Sequence, residues 1–309
     1  MINVSRLVVC ARPSMASVST FVTLSLFCCA PVVHAQNTDV IGVRAQGMAG
    51  AFTAVADDAT AGFWNPAGLP GGSFVNGITE YSKPERDLDH SVFGITAAYP
   101  ALGITYYRLP ISQIRVKPST AEEPADREDL DDLRLFGATV AQSIGRHFVL
   151  GTTVKLLHAT DTTADLDAGA MATFGPIRLG ATLRNVTEPT FETGRLAVTL
   201  ERHARAGFAL TSGQRGVVGS ATVSFDADLM TVHDITGDQR FIAVGGEAWA
   251  PHNTVGIRGG FRKNMVGAEE TMVSGGVSVA VKSRTFVDFY ATTGDMARHG
   301  IGIGLRVTF

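Results

Sequence analysis

Along the last nine residues, apolar and small or polar side chains alternate without a break: Ile301-Gly302-Ile303-Gly304-Leu305-Arg306-Val307-Thr308-Phe309. Successive side chains of a β-strand point to opposite faces, so this run builds one greasy face and one small or polar face. The same pattern recurs from about Phe74 onward in fourteen segments. They lie near 74–82, 90–99, 101–108, 133–143, 146–157, 165–174, 177–185, 203–211, 216–226, 240–249, 253–262, 270–281, 284–293 and 299–309. Ile177, Leu179, Ala181 and Leu183 oppose Arg178, Gly180, Thr182 and Arg184. Val255, Ile257 and Phe261 oppose Gly256, Arg258 and Arg262, and Phe148, Leu150, Val154 and Leu156 oppose a face carrying Lys155.

Connections between these segments alternate short and long. Pro100, Gly145, Gly175-Pro176, Ser212–Arg215, Pro251-His252 and Lys282-Ser283 are short; 83–89, 109–132, 158–164, 186–202, 227–239, 263–269 and 294–298 are longer. An even number of antiparallel strands with short turns at one end and long loops at the other is the arrangement of an outer-membrane barrel. The expected fold is therefore all-β, an antiparallel transmembrane barrel of about 14 strands. An exported soluble β-protein is the competing class, and its strands could alternate in the same way. A charge on the lipid face costs about 2–4 kcal/mol at the bilayer midplane. Lys155, Arg178, Arg184, Glu247, Arg258, Arg262, Asp288 and Arg306 are therefore expected in the lumen. There they either brace the wall as a polar network or bind an anionic head group.

The N-terminus points to the same compartment. Arg6 and Arg12 precede an apolar stretch from about Phe21 to Val33, and Val33-His34-Ala35 offers a cleavage site before Gln36. Residues 1–35 read as a signal peptide, which places the protein in the outer membrane of a Gram-negative bacterium. Cys28 and Cys29 follow Phe27 rather than a small residue, which argues against a lipidated start. All three cysteines (Cys10, Cys28, Cys29) fall in this segment, so the remaining chain has no thiol or disulfide chemistry. Of the 26 basic residues, Arg6 and Arg12 leave with it. That gives 24 basic against 29 acidic residues and a net −5, with no basic footprint for nucleic acid. Charged residues make up 18% of the chain, below the ~25% typical of soluble domains. The 109–132 loop concentrates Glu122, Glu123, Asp126, Glu128, Asp129, Asp131 and Asp132. It lacks the spaced Asp-x-Asp-x-Asp-Gly pattern of a calcium loop and reads as a solvated outer loop.

Residues 36–73 do not read as a membrane strand. The run Gly42-Val43-Arg44-Ala45-Gln46-Gly47-Met48-Ala49-Gly50-Ala51-Phe52 is small and Gly-rich. Asp57-Asp58-Ala59-Thr60 then leads into Phe63-Trp64-Asn65-Pro66-Ala67-Gly68-Leu69. This stretch resembles the N-terminal segment of the FadL/TodX outer-membrane transport superfamily, and is closer still to its PorV-like branch. The resemblance implies a fourteen-stranded barrel, 74–309, with residues 36–73 as a hatch in its lumen and the family's Asn-Pro-Ala element at Asn65, Pro66 and Ala67. It also implies passage of a hydrophobic small molecule, which can leave sideways through the wall. Phe52, Phe63, Trp64 and Leu69 are the apolar hatch candidates for contact with that molecule. PorV-like members instead serve protein secretion and surface attachment, so a non-transporting scaffold with secretion partners is the alternative. The terminal Phe309 resembles the assembly signal of outer-membrane proteins and implies contact with the barrel-assembly machinery as well as with membrane lipid.

The remaining residues carry no enzymatic motif. Asp57-Asp58 invites a catalytic reading, but neighbouring carboxylates on a loop more often cap a turn, here with Thr60 close by. The histidines (His90, His147, His158, His203, His233, His252, His299) show no metal-ligand spacing, and there is no Gly-x-Ser-x-Gly elbow. The chain is expected to be neither an enzyme nor a holder of a cofactor or metal.

Overall fold

The computed structural model describes residues 32–34, 40–84, 91–110, 132–193, 196–213, 218–234, 237–295 and 299–309. Most of the expected signal segment, with Arg6, Arg12 and the cysteines, lies outside the described residues, as do Glu122, Glu123, Asp126, Glu128, Asp129 and Asp131.

Fourteen antiparallel strands close into a barrel. In chain order they are β1 (Asn76–Lys83), β2 (Val92–Ala98), β3 (Leu102–Leu109), β4 (Leu133–Ile144), β5 (Phe148–His158), β6 (Thr162–Phe174) and β7 (Ile177–Arg184). There follow β8 (His203–Ser212), β9 (Ser220–Asp228), β10 (Phe241–Trp249), β11 (Val255–Asn264), β12 (Thr271–Lys282), β13 (Thr285–Gly294) and β14 (Gly300–Thr308). Each strand pairs with its sequence neighbour, and β14 closes on β1 through the register Ile301↔Lys83 to Thr308↔Asn76. A bulge between Ala280 and Lys282 interrupts β12 beside β13. Closure leaves no unpaired barrel edge, which is the condition for sheet to survive in hydrocarbon. Two short hairpin elements sit at the long-loop end. In one, Thr190–Thr193 and Leu196–Thr199 pair antiparallel, with Val32–His34 parallel beside the latter. The other is Val232–Asp234 with Gly237–Gln239.

The loop pattern is less regular than the sequence suggests. Only residues 159–161 separate β5 from β6 at the long-loop end, whereas 213–219 separate β8 from β9 at the short-turn end. Both shifts come from strand ends. Thr162 to Ala164 extend β6 outward through full ladder pairing with His158 to Leu156, and β9 starts only at Ser220, where pairing with Trp249 begins.

The period of two sorts side chains as a membrane wall requires. In β14, Ile301, Ile303 and Leu305 face outward and exposed, while Gly304 and Arg306 face inward and buried. Outward positions elsewhere are held by Ile104, Phe136, Val154, Leu179, Phe225, Val244 and Phe289, all exposed. A soluble monomer rarely exposes so continuous an apolar band. At the short-turn end, aromatic pairs gather on the outer surface: Phe74 with Tyr99 (ring centroids 5.6 Å) and Phe148 with Phe174 (5.9 Å). Aromatic girdles of this kind mark the interfaces of outer-membrane barrels. No helix among the described residues is long and apolar enough to cross a membrane.

Phe309 follows β14 with its ring exposed on this rim, and its backbone pairs with Val75 in both directions (2.9 and 3.2 Å). If the outer face is solvated by lipid, Ile303→Arg at mid-strand should lower folding stability by about 2–4 kcal/mol in a lipid refolding titration. A change within about 0.5 kcal/mol, as at a water-exposed site, would show that the face meets water. Phe309→Ala leaves the ladder intact, so a several-fold loss of folded, heat-modifiable barrel from membranes would reflect assembly; undiminished levels would remove that role.

Candidate functional site

Residues 40–73 lie inside the barrel and touch its inner face around most of the circumference. The segment contains two single helical turns, Val43–Gln46 and Ala61–Trp64, and a 3-10 turn at Pro66–Gly71. Little of its backbone is paired in regular structure, so buried N–H and C=O groups must find partners elsewhere. The wall supplies them. Glu80 of β1 accepts from the amides of Gly42 (2.8 Å) and Val43 (2.9 Å), and also from the Tyr107 hydroxyl (2.8 Å). Asp226 of β9 accepts from the amides of Phe52 (3.0 Å) and Thr53 (2.7 Å). The Thr153 hydroxyl donates to the Gly62 carbonyl at 2.7 Å.

Close approach is made possible by wall glycines. A Cβ on Gly151 would stand 2.4 Å from the Pro66 carbonyl carbon, one on Gly169 2.2 Å from Asn65 Oδ1, and one on Gly180 2.4 Å from the Thr53 carbonyl oxygen. Gly245 and Gly260 would likewise strike the backbone of Met48, at 2.7 and 2.4 Å. Gly151 and Gly169 are direct cross-strand partners, as are Gly245 and Gly260, so these glycines hollow the wall where the segment fills it.

Asn65 explains the Asn-Pro-Ala element. Its side-chain oxygen accepts from the Ala67 amide (3.1 Å), capping the 3-10 turn, while Nδ2 donates to the carbonyls of Thr53 (2.9 Å) and Ala170 (3.2 Å). Pro66 occupies the first position of that turn, where a missing N–H costs nothing. Asp58 caps a turn as well: its Oδ1 accepts from the Thr60 amide (2.9 Å) and hydroxyl (2.5 Å). Both Asp57 and Asp58 pair with Arg44, at 2.5 and 3.3 Å, and Asp57 also meets Arg178 at 3.2 Å. The aspartates thus serve turn capping and ion pairing.

The lumenal charges form two groups. Toward the short-turn end, signs alternate from the segment into the wall: Arg44 to Glu247 (2.7 Å), Glu247 to Arg258 (3.2 Å), Arg258 to Asp288 (3.5 Å), and Asp288 to Arg306 (3.0 Å). Ser278 bridges Arg258 and Asp288 with two short hydrogen bonds. Toward the long-loop end, Lys155 meets Asp165 (2.8 Å), Asp167 (2.7 Å) and Asn185 (2.9 Å). Beside it, Arg184 reaches His203 (2.8 Å), and Asp228 accepts from both His203 (2.9 Å) and Arg205 (2.6 Å). Arg262 instead lies over the Phe241 ring at 4.5 Å. Glu80, Asp165, Asp167, Arg205, Asp226 and Asp228 complete these networks, although sequence reading did not single them out. The same two-residue alternation places Asp165 and Asp167 opposite Leu166, and Asp226 opposite Phe225, so that signal was present.

The four apolar candidates belong to one buried cluster but pack against different partners. Phe52 and Phe63 both pack edge-on against Trp64, at 6.1 and 5.8 Å, and Trp64 Nε1 donates to the Ile41 carbonyl at 3.1 Å. Leu69 points elsewhere, against Gly103 of β3. All four are 4% exposed or less. Phe63 belongs to a buried apolar cluster that continues through Tyr107, Leu135 and Leu157 to Leu109 and Leu133 at the long-loop ends of β3 and β4. The lumen is therefore divided, with an apolar side at β3 to β5 and ionic groups both toward the short turns and, across β5 to β9, toward the long loops.

This architecture is similar to that of solved outer-membrane channels. The "CymD monoaromatic hydrocarbon channel" aligns with a TM-score of 0.60 at 11% identity over 89% of this chain and 99% of that one. The Ralstonia pickettii toluene transporter TbuX aligns at 0.54 and 12% identity, covering 88% and 99%, and a Pseudomonas aeruginosa FadL homologue at 0.53 and 11%, covering 87% and 98%. At these identities the likeness is one of fold: the chain has the architecture of the FadL-type channels. A family model described as "F plasmid transfer operon, TraF, protein" matches residues 137–226, from β4 to β9. No curated protein sequence is significantly similar to the chain.

Arg44 ties the segment to the wall through Glu247. Arg44→Met should lower stability by about 3 kcal/mol, near the low end for a broken buried pair, because Glu247 keeps Arg258 and Asp57 keeps Arg178. Chemical unfolding of the refolded barrel measures this, and a loss under 1 kcal/mol would show that the pair does not fasten the segment.

Proposed function

We propose that the protein is a passive outer-membrane channel for a hydrophobic small molecule, with residues 36–73 as its hatch. The observation that carries this reading is the apolar strip along the β3 to β5 side of the outer lumen. Leu109, Leu133, Leu135 and Leu157 face inward, where a water-filled porin would be polar. That lining leads from the long-loop end down to Phe63 and Trp64 of the hatch. The structural neighbours described as channels for monoaromatic hydrocarbons and toluene support the same substrate class. No energy-coupling element is evident, so flux follows the molecule's own gradient.

A second reading is a scaffold for secretion or surface assembly. Two observations favour it: the apolar cluster is fully packed around the hatch, and residues 137–226 match a family described by a plasmid transfer operon. The two readings divide on uptake. In cells expressing the chain, toluene accumulation should exceed that of cells without it, and Leu135→Gln with Leu157→Gln should abolish most of the gain while folded barrel persists. No gain in uptake, together with a protein partner retained through mild detergent extraction, would replace the channel by the scaffold. Deleting residues 40–73 should raise ion conductance in a planar bilayer; unchanged conductance would mean that the segment does not occlude the lumen.

A further inference from the structure

The outer surface of β2 to β5 joins two features that each want a partner. The first is a row of bases at the long-loop end. Arg108 of β3 and Arg134 of β4 are direct cross-strand partners, and Arg134 is in turn opposite His158 of β5. All three occupy outward positions. Like charges directly opposed on neighbouring strands repel, so the row costs stability unless an anion sits on it. Arg108 has one partner at 3.4 Å, Asp132, and both side chains are well exposed. Arg134 has no hydrogen-bond or ion-pair partner among the described residues, and His158 hydrogen-bonds Thr162 (2.8 Å).

The second feature lies directly below. A groove of about 580 Å³ opens on the same face, walled by Ile95, Ile104, Phe136 and Leu156, with space left by the small Ala97 and Ala138. Tyr106 and Phe136, their rings 4.8 Å apart, are the outward residues immediately beneath Arg108 and Arg134. Two residues along a strand span about 7 Å, so charge row and groove are contiguous.

We propose that this face binds a phosphorylated lipid of the outer leaflet, with the headgroup phosphate on Arg108 and Arg134 and an acyl chain in the groove. Guanidinium groups grip phosphate oxygens in a bidentate fork, which a solvated lysine does not reproduce. The groove supplies what a free phosphate could not use, and the row supplies what a neutral lipid could not use. The ligand is thereby defined as amphipathic and anionic. This inference rests on the outer-membrane orientation, with the long loops outside.

The full chain, extracted from outer membranes in mild detergent and stripped of lipid, would be titrated with bis-phosphorylated lipid A and followed by native mass spectrometry. One bound lipid per barrel is expected. Its affinity should fall at least tenfold when the lipid is dephosphorylated, and likewise in an Arg108→Gln, Arg134→Gln double variant. Ala138→Phe, which fills the groove and leaves the charges in place, should weaken binding by a similar factor.

Equal affinity for the phosphorylated and dephosphorylated lipids would overturn the site, as would tight binding by Ala138→Phe. Binding that emerges only after removal of residues 111–131 would mean that the chain's own acidic loop occupies the row, and would equally end the proposal. The phosphate comparison uses unaltered protein, so it decides the matter even if the double variant does not fold. A chain that fails to sediment with outer membranes would sink the membrane reading too. A chain that sediments there and binds no lipid would sink this site alone.

Discussion

Everything inside this barrel depends on one requirement: a loosely structured segment buried in a narrow lumen must have its main-chain polar groups satisfied by the wall. A buried amide without a partner costs more than a typical hydrogen bond returns. Glu80 and Asp226 answer this from different strands, each taking two consecutive amides of the segment, at Gly42-Val43 and Phe52-Thr53. Wall side chains would prevent that approach, so glycines are required at Gly151, Gly169, Gly180, Gly245 and Gly260. Five of the chain's 34 glycines are thus a packing necessity. The carboxylates in turn need to be held, and Tyr107 contributes by donating to Glu80 while its ring covers Gly94 on the adjacent strand.

The ionic network follows from the same requirement. Buried ion pairs are weak evidence of net stability, because desolvation offsets much of the attraction. They are specific, however, since each charge tolerates few other positions. The alternation Arg44, Glu247, Arg258, Asp288, Arg306 runs without a gap from the inner segment across β10, β11, β13 and β14. Shifting the segment by one residue would unpair Arg44 and leave Glu247 sharing a single base. The network therefore sets the position of residues 40–73 in the barrel more than it adds to the total free energy of folding.

The strand order and the inward faces were legible because a two-residue period is a local property. Ile301 to Phe309, or Ile177 to Arg184, show their faces without reference to any other part of the chain. The partners were not legible, because Arg44 and Glu247 are 203 residues apart in sequence and Phe52 and Asp226 are 174 apart. Only barrel closure brings them together. Phe52, Phe63 and Trp64 read as inner apolar residues, yet the edge-on packing of their rings and the seat of Leu69 against Gly103 of β3 depend on contacts distant in sequence. The uneven loops at 159–161 and 213–219 had a similar origin, since strand ends are decided by the neighbour's ladder and not by the residues at the turn.

The division of the lumen constrains any passage through it. An apolar molecule arriving from the long-loop end would meet Leu133, Leu135, Leu157 and Phe63, packed apolar side chains that must part to admit it. Beyond them lies the alternating chain of charges, and an apolar body wedged there would separate pairs and leave buried charges unpartnered, at several kcal/mol each. Rotating one side chain does not avoid this, because Arg44 binds Asp57, Asp58 and Glu247 at once. The lower-cost movement displaces residues 40–73 as a body, so that Asp57 and Asp58 travel with Arg44 while Glu247 retains Arg258. The wall contacts that such a movement must break are the amides on Glu80 and Asp226, the Arg44–Glu247 and Asp57–Arg178 ion pairs, and the hydrogen bonds of Gly62 with Thr153 and of Asn65 with Ala170. These polar contacts together, rather than the aromatic residues of the segment, would then set the height of the barrier.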